Sequence, residues 1–480
     1  MGTISTDTKA ENPGSDDGHH IRTALVHSSH LSEQTGHNVY LKMDSDQPSG
    51  SFKMRGIGRV VAHAVGEWGR EATHIVSSSG GNAGLAVAHA ASTAGVGATI
   101  FTPASIEPDV VRKLESQGAR VVVGGEAWDQ ADLAARAFCQ SHPSRIYVHP
   151  FEGELLTDGH SGLVDEVVQQ FSALSSPSSS TASPSLSVQD SVEIDAIVSS
   201  VGGGGLLRGI IKGCLRTPQF RPTLVAVQNF GTDSFVQSFN RYLEAEADAE
   251  SSSTPDQSGV VKLQAITSKA TSMGTLACSA TTLRDAIAYH EATTASPSRS
   301  RPQSQSQSQS LGSSASPVQS QSQVETNPDS TAQPNGGITT LTLPDHLSMA
   351  TCWQFSQLYH EPATRRTVEL SCASALTPFF HPWILHALVQ STPALQNKVD
   401  SGKAGGGKTR RLNFVVEVCG GSKINPLLLD EYRSTTASRS RGESRESTMV
   451  LINGKEVVMP SSSSSSSSPS ALPDIATSAN

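Results

Sequence analysis

The sequence predicts an α/β fold in which helices cover both faces of a largely parallel sheet. Three observations carry that reading. Short apolar runs alternate with alanine-rich helical runs along the chain. The stretch "HIVSSSGGNAGLAVAHAASTAGVGATIFTP", residues 74–103, reads as strand, glycine turn, helix and strand. Glycine and serine cluster where the strands end, which is where ligands sit in such folds.

Taken in order, Ala83, Ala86, Val87 and Ala90 recur at helical spacing between the two apolar runs of residues 74–103, making a βαβ unit. "RVVVGG" at 120–125 adds a strand that stops at glycines. "IDAIVSSVGGGGLLRGIIKGC" at 194–214 is again strand, glycine turn and helix, and "TLVAVQNF" at 223–230 follows as the next strand. "RLNFVVEV" at 411–418 is strand-like. Between these lie stretches that cannot bury enough apolar surface to offset the entropy of ordering. They are "SSPSSSTASPSLS" within about 172–190, the Ser/Gln/Pro tract of about 295–337, and the tail 434–480. With residues 1–20 they are expected to be disordered.

Composition narrows the function. A formal charge of -9 disfavours a nucleic-acid binder, and no apolar run reaches the length that crosses a bilayer. Six dispersed cysteines without metal-ligand spacing, and no signal segment at the start, read as reduced thiols in a cytosolic protein. The 16 histidines form no metal motif, and there is no serine-hydrolase elbow. "GKAGGGKT" at 402–409 has P-loop spacing, but it precedes a strand instead of opening a helix, so it is a basic glycine-rich loop.

Two glycine loops suit a ligand. Gly202, Gly203, Gly204 and Gly205 join a strand to a helix, and backbone N–H groups at a helix N-terminus form a cup for phosphate. Neither loop carries the dinucleotide fingerprint with its acidic partner, which disfavours NAD. "SSSGGNAG", Ser77 to Gly84, offers hydroxyls, N–H groups and the Asn82 amide to a carboxylate. "PSGSFKMRG" at 48–56 places Lys53 directly after an aromatic residue. A phosphate cup, a carboxylate loop and such a lysine together describe a site for pyridoxal phosphate bonded as a Schiff base to lysine.

The segments "VYLKMDSDQPSGSFKMRGIG", "SSSGGNAGLAVAHAA", "SSVGGGGLLRGI", "ITSKATSMGTLACSATTL", "VELSCASAL" and "VVEVCGGSKIN" occur in that order. In them the chain resembles the fold-type II pyridoxal-phosphate enzymes, most closely the serine/threonine dehydratases of the serine dehydratase family, over about residues 21–430. The resemblance implies two open, mostly parallel twisted sheets, tryptophan synthase beta-like, with the cofactor in the cleft between them. A large cofactor domain would comprise 21–46 and 153–433, and a small domain 47–152. It further implies that Lys53 is the catalytic residue and holds pyridoxal 5'-phosphate, that Phe52 packs on it, and that Asn82 bonds its 3'-oxygen. Gly202 to Gly205 would take the phosphate. Cys419 would face the pyridine nitrogen as a neutral thiol. Ser79, Gly80 and Asn82 would receive the substrate carboxylate.

The implied activity is deamination of L-serine to pyruvate and ammonia, and of L-threonine to 2-oxobutanoate, by a cytoplasmic homodimer with no nucleic-acid or membrane partner. Threonine dehydratase, serine racemase and a cysteine-synthase-like enzyme share these motifs and stay open, as does a catalytically silent scaffold, although a scaffold has no need of Lys53. Two departures stand out. Gln228, in "QNFG", replaces the glutamate of the family's "ETFG", which weakens the expected monovalent cation site near Gln228, Thr232, Ser234, Met273 and Thr275. Gly80 stands where some relatives have alanine, which is expected to leave more room and mobility.

Overall fold

The computed structural model describes residues 19–175, 193–247, 259–294, 336–358, 366–402, 409–440 and 448–460. The first eighteen residues, nearly all of the 295–337 tract and residues 176–190 of the earlier insertion lie outside them.

Among the described residues, twelve strands form two sheets. The first half of the chain contributes β1 (Leu25–His27), α1 (Ser29–Thr35), β2 (Asn38–Lys42), α2 (Lys53–Trp68), β3 (His74–Ser77), α3 (Asn82–Ala94), β4 (Gly97–Thr102), α4 (Pro108–Ser116), β5 (Ala119–Val123), α5 (Trp128–Gln140), β6 (Arg145–Tyr147) and α6 (Glu154–Ser175). Then come β7 (Ala196–Ser200), α7 (Gly205–Arg216), β8 (Thr223–Asn229), α8 (Ser234–Ala247), α9 (Ala280–Thr294), β9 (Ile338–Leu343) and α10 (Asp345–Leu358). The last are α11 (Leu370–Phe380), α12 (Pro382–Gln390), α13 (Pro393–Ser401), β10 (Asn413–Glu417), α14 (Pro426–Ser440), β11 (Met449–Ile452) and β12 (Lys455–Val458).

The small sheet is all parallel, in the order β5-β4-β3-β6. The large sheet runs β1-β2-β10-β7-β8-β9-β11-β12, with β2, β10, β7, β8 and β9 parallel and antiparallel strands at either side. A parallel sheet is covered on both faces because its crossovers are helices, and β7, β8, β9 and β10 are accordingly buried along their whole length. In β8, Val225 and Val227 enter the core on one face while Leu224 and Ala226 enter that on the other. Pro108, Pro382 and Pro393 start their helices where a missing N–H costs nothing. Among the described residues no single helix is long and apolar enough to cross a membrane; α11 and α12 are so only together, and a 78° bend separates them.

The disorder expected from residue 434 is corrected for residues 434–440 and 448–460, while 441–447 and 461–480 lie outside the described residues. Helix α14 runs on to Ser440, and β11 and β12 make a hairpin that extends the large sheet beside β9. Asn453 and Gly454 turn it with φ of 50° and 76°, the left-handed pair that a two-residue turn requires. "NG" between "VLI" and "EVV" was the available signal, hidden by serine-rich flanks. Likewise α6 continues to Ser175, into the stretch expected to be a disordered insertion.

Charged groups lie buried beneath α2. Arg55 is fully enclosed and donates to Asp44 through Nε (2.5 Å) and Nη2 (2.7 Å) and to Glu166 through Nη1 (2.8 Å) and Nη2 (2.9 Å). Lys42 donates to Glu166 (2.5 Å), to the Thr23 carbonyl (2.7 Å) and to Gln170 (3.0 Å). Burial alone would raise the Asp44 pKa, but Arg55 brings it down to about 2. Glu417, in central strand β10, is fully buried, and neither oxygen has a partner within hydrogen-bond distance among the described residues. Burial and the neighbouring Asp44 carboxylate push its pKa well above 4.5, so it is held as the neutral acid.

That state links Glu417 to pH. Its stabilising contribution is full below the unfolded pKa and is lost as pH rises through the raised folded value, at a slope of up to about 1.4 kcal/mol per unit. Glu417→Gln, a neutral isostere, removes this loss. Urea unfolding of both proteins at pH 5 and pH 8 is expected to show the variant gaining on the wild type as pH rises.

Candidate active site

Lys53 is the first residue of α2, and the residues before it are stitched to the loop after β10. Phe52 N–H donates to the Cys419 carbonyl (3.0 Å), Gly421 N–H to that of Gly50 (2.9 Å), and Ser51 bridges Gly420. The lysine is thereby held at the carboxyl end of a central strand, facing the cleft between the sheets. Its Nζ donates to the Pro150 carbonyl (2.5 Å) and lies 5.0 Å from the Phe52 ring centroid. Desolvation lowers its pKa to about 8. About a tenth of the amine is therefore unprotonated at pH 7, far more than for an ordinary lysine.

The next residue along, Phe151, forms the wall behind the glycine loop. A Cβ on Gly203 would lie 2.4 Å from the Phe151 ring, and one on Gly205 2.5 Å from its carbonyl oxygen. Gly204 has φ +99°, and a Cβ there would meet Thr282 at 2.5 Å. Glycine is required by space at three of the four positions and by backbone angle at one. Among the described residues no acceptor takes the N–H groups of Gly202 to Gly205, which stand at the positive end of α7. Pro150–Phe151 thus joins the lysine amine to an anion cup. The pair suits a ligand with a phosphate at one end and a carbonyl at the other, as pyridoxal phosphate has.

Across the cleft, Ser79, Gly80 and Asn82 lie in the turn from β3 to α3, all partly exposed. The turn is tight, since a Cβ on Gly84 would sit 1.9 Å from the Ser79 carbonyl oxygen. The extra room expected at Gly80 is not there. A methyl at that position would meet Ile106 at 2.6 Å and Thr102 at 2.9 Å, so those side chains already fill the space. Asn82 Nδ2 donates to Glu369 (3.0 Å), while its Oδ1 accepts from the N–H and the hydroxyl of Ser422 (2.9 Å each). Cys419 is buried, and its thiol pKa is raised well above the ordinary value, first by its hydrogen bond with Cys372 and then by burial. It is a neutral thiol.

The residues around Gln228 also converge. Its Nε2 donates to the carbonyls of Val201 and Thr232 (2.8 Å each), and its Oε1 accepts from Val236 N–H (2.9 Å). Ser234 is satisfied through the Val261 carbonyl and Cys278 N–H, and Thr275 N–H donates to the Met273 carbonyl (2.8 Å). The amide therefore ties the Val201 carbonyl, just before the glycine loop, to the Thr232 carbonyl in the turn after β8. Gln228→Glu would aim an anion at those carbonyls, and a hard monovalent ion would relieve the repulsion. Thermal unfolding in potassium and in tetramethylammonium chloride should differ for the variant and coincide for the wild type. A large potassium effect on the wild type would refute this account.

Several residues of the site had no assigned role from sequence. Glu369 and Cys372 both lie in "VELSCASAL", but nothing local marks a buried glutamate as a partner for Asn82, 287 residues away. Pro150 and Phe151 follow β6, where a strand end was the only hint. His160 is buried against Phe52, with ring centroids 5.3 Å apart.

Residues 17–290 match the family described as "Pyridoxal-phosphate dependent enzyme". The chain is 38% identical over 216 residues to the L-serine dehydratase/L-threonine deaminase of Mus musculus, covering 45% of this chain and 59% of that protein. It is 33% identical over 268 residues to an L-serine dehydratase of Saccharomyces cerevisiae, covering 53% and 70%. The chain thus spans about three-fifths of the length of the mouse relative. Its fold is similar to that of a fungal L-serine ammonia-lyase from Rhizomucor miehei, with a TM-score of 0.59 and 24% identity, covering 87% of this chain and 99% of that one.

Proposed function

The chain belongs to the pyridoxal-phosphate dependent enzymes, and from that premise we propose that it deaminates L-serine to pyruvate and ammonia, and L-threonine to 2-oxobutanoate. The observation that carries the reading is the desolvated Lys53 amine beside a helix start with four glycines. The similarity to proteins named for serine and threonine deamination supports the substrate class.

When bound, the cofactor supplies an electron sink conjugated to the substrate's α-carbon. The N–H groups of Gly202 to Gly205 would hold its phosphate, Phe52 would support the ring, and Lys53 would hold its carbonyl carbon until the substrate's amino group takes that place and returns Lys53 as a free amine. The backbone N–H groups and hydroxyl of the Ser79, Gly80 and Asn82 turn would receive the substrate carboxylate, orienting the α-hydrogen toward Lys53, while the Asn82 side-chain N–H would face the cofactor's 3'-oxygen. The free Lys53 amine removes that proton. Cys419 bears its own proton at high pH and is a poor donor to the pyridine nitrogen, which suits elimination. The β-hydroxyl would leave as water, its added proton balancing the one taken by Lys53, to give 2-aminoacrylate, whose hydrolysis to pyruvate and ammonia consumes one water in turn. The six cysteines are free thiols, which supports a reducing, cytoplasmic location, and we assign a homodimer without nucleic-acid or membrane partners.

Lys53→Ala is expected to abolish both keto-acid production and the visible absorbance of the cofactor-loaded protein. Wild type that stays colourless after loading would overturn the reading. The lysine pKa adds a pH prediction. Covalent uptake of pyridoxal phosphate, trapped by borohydride and read by mass, should rise with pH and reach half its limiting rate near pH 8, since only the unprotonated amine attacks.

A further inference from the structure

Glu369 immediately precedes α11, in the N-cap position, yet its side chain does not cap that helix. It is buried, and Oε1 accepts from Asn82 Nδ2 (3.0 Å) and Oε2 from Lys423 N–H (3.0 Å). Gly421 makes room for it: φ is +139°, and a Cβ there would lie 2.0 Å from the Glu369 carboxyl carbon. Three separate parts of the molecule meet on one carboxyl, since the Ser272 side chain bonds it too. Asn82 belongs to the small-sheet turn, and Lys423 to the loop that follows Cys419.

The orientation of the Asn82 amide follows from hydrogen-bond logic. Ser422 N–H can only donate, so the atom facing it, 2.9 Å away, is oxygen. The nitrogen therefore faces Glu369 and spends one hydrogen there. Asn82 is partly exposed, and its second Nδ2–H is the remaining polar valence.

We infer that Glu369 is a positioning residue that locks the Asn82 amide across the cleft, so that Asn82 presents a lone N–H and the ligand group meeting it must be a hydrogen-bond acceptor. This rests on the reading of the cleft as a pyridoxal-phosphate site. Within that reading, the lock selects an oxygen that accepts at this point and rejects one that must donate. Rotating the amide would set Nδ2 against Ser422 N–H and Oδ1 against the carboxyl, leaving two mismatched pairs where there are now matched ones.

An exchange of roles tests it. In Glu369→Gln, one carboxyl acceptor becomes a donor, and Asn82 or Lys423 N–H loses its partner. In the double variant Glu369→Gln/Asn82→Asp, the glutamine N–H donates to the aspartate, Ser422 still donates to it, and Lys423 N–H keeps the glutamine oxygen. The lock is restored, but no N–H faces the ligand. Two measurements are made: amide hydrogen exchange at Ser422 and Lys423 in the cofactor-free chain, and the dissociation constant of pyridoxal phosphate by tryptophan fluorescence. The single variant is expected to exchange about tenfold faster and to bind about tenfold more weakly. The double variant should recover slow exchange yet still bind weakly. Wild-type exchange in the single variant, or a double variant no slower than the single, would overturn the inference. Should the single variant fail to fold, a folded double variant with slow exchange supports the lock, and a double variant that also fails refutes it. Hydrogen exchange uses neither cofactor nor substrate. Absence of serine turnover by the wild type, with these results intact, would therefore count against the proposed function alone.

Discussion

The site depends on the enclosed guanidinium of Arg55. It stands two residues after Lys53 and binds Asp44 at the end of β2 and Glu166 on α6 at once, so one planar fork sets the position of α2 against two other elements. Lys42 completes the arrangement from β2 through the same Glu166. Such a group is costly to bury, and removing one partner of a buried pair typically costs about 3–5 kcal/mol because the other charge is stranded. The return is geometric. The start of α2 cannot rotate or slide without breaking these bonds, so the amine of Lys53 stays directed at Pro150 and the cleft.

The cleft is closed around that fixed point by backbone as much as by side chains. Cys419 and Gly421 bond to Phe52 and Gly50, so the loop after β10 and the approach to α2 form one unit. Phe151 presses on the glycine loop from one side and Met273 from another, since a Cβ on Gly202 would come 3.2 Å from Met273 Cα. The helix N–H groups are thus exposed to a ligand only because nothing larger than hydrogen stands in front of them. Asn82 is the link from the small sheet to this unit, through Ser422 and Glu369.

Buried carboxyls in the same region carry opposite charge states for one reason. Asp44 faces Arg55 and stays ionised, whereas burial and the Asp44 carboxylate outweigh the pull of Arg55 on Glu417, which stays protonated. Glu369 lies between. Burial raises its pKa, and the N–H of Lys423 with the side chains of Ser272 and Asn82 pulls it back.

Local features of the chain were legible in the sequence. The strand, glycine turn and helix at 74–94 and again at 196–216, and the position of Lys53 after an aromatic residue, depend on neighbours within a few residues, whose propensities and turn chemistry act alone. The "NG" hairpin was equally local, and was obscured only by the serine-rich sequence around it. What tertiary structure decided are pairings without a periodic trace: Glu369 with Asn82, Cys372 with Cys419, Arg55 with Glu166, and the Gln228 amide with the Val201 carbonyl. Even the space at Gly80 belongs here, because Ile106 fills it from another turn. A lone polar residue in a sequence shows its chemistry but not its partner, and the partner is set by which strand and helix ends the sheets bring together.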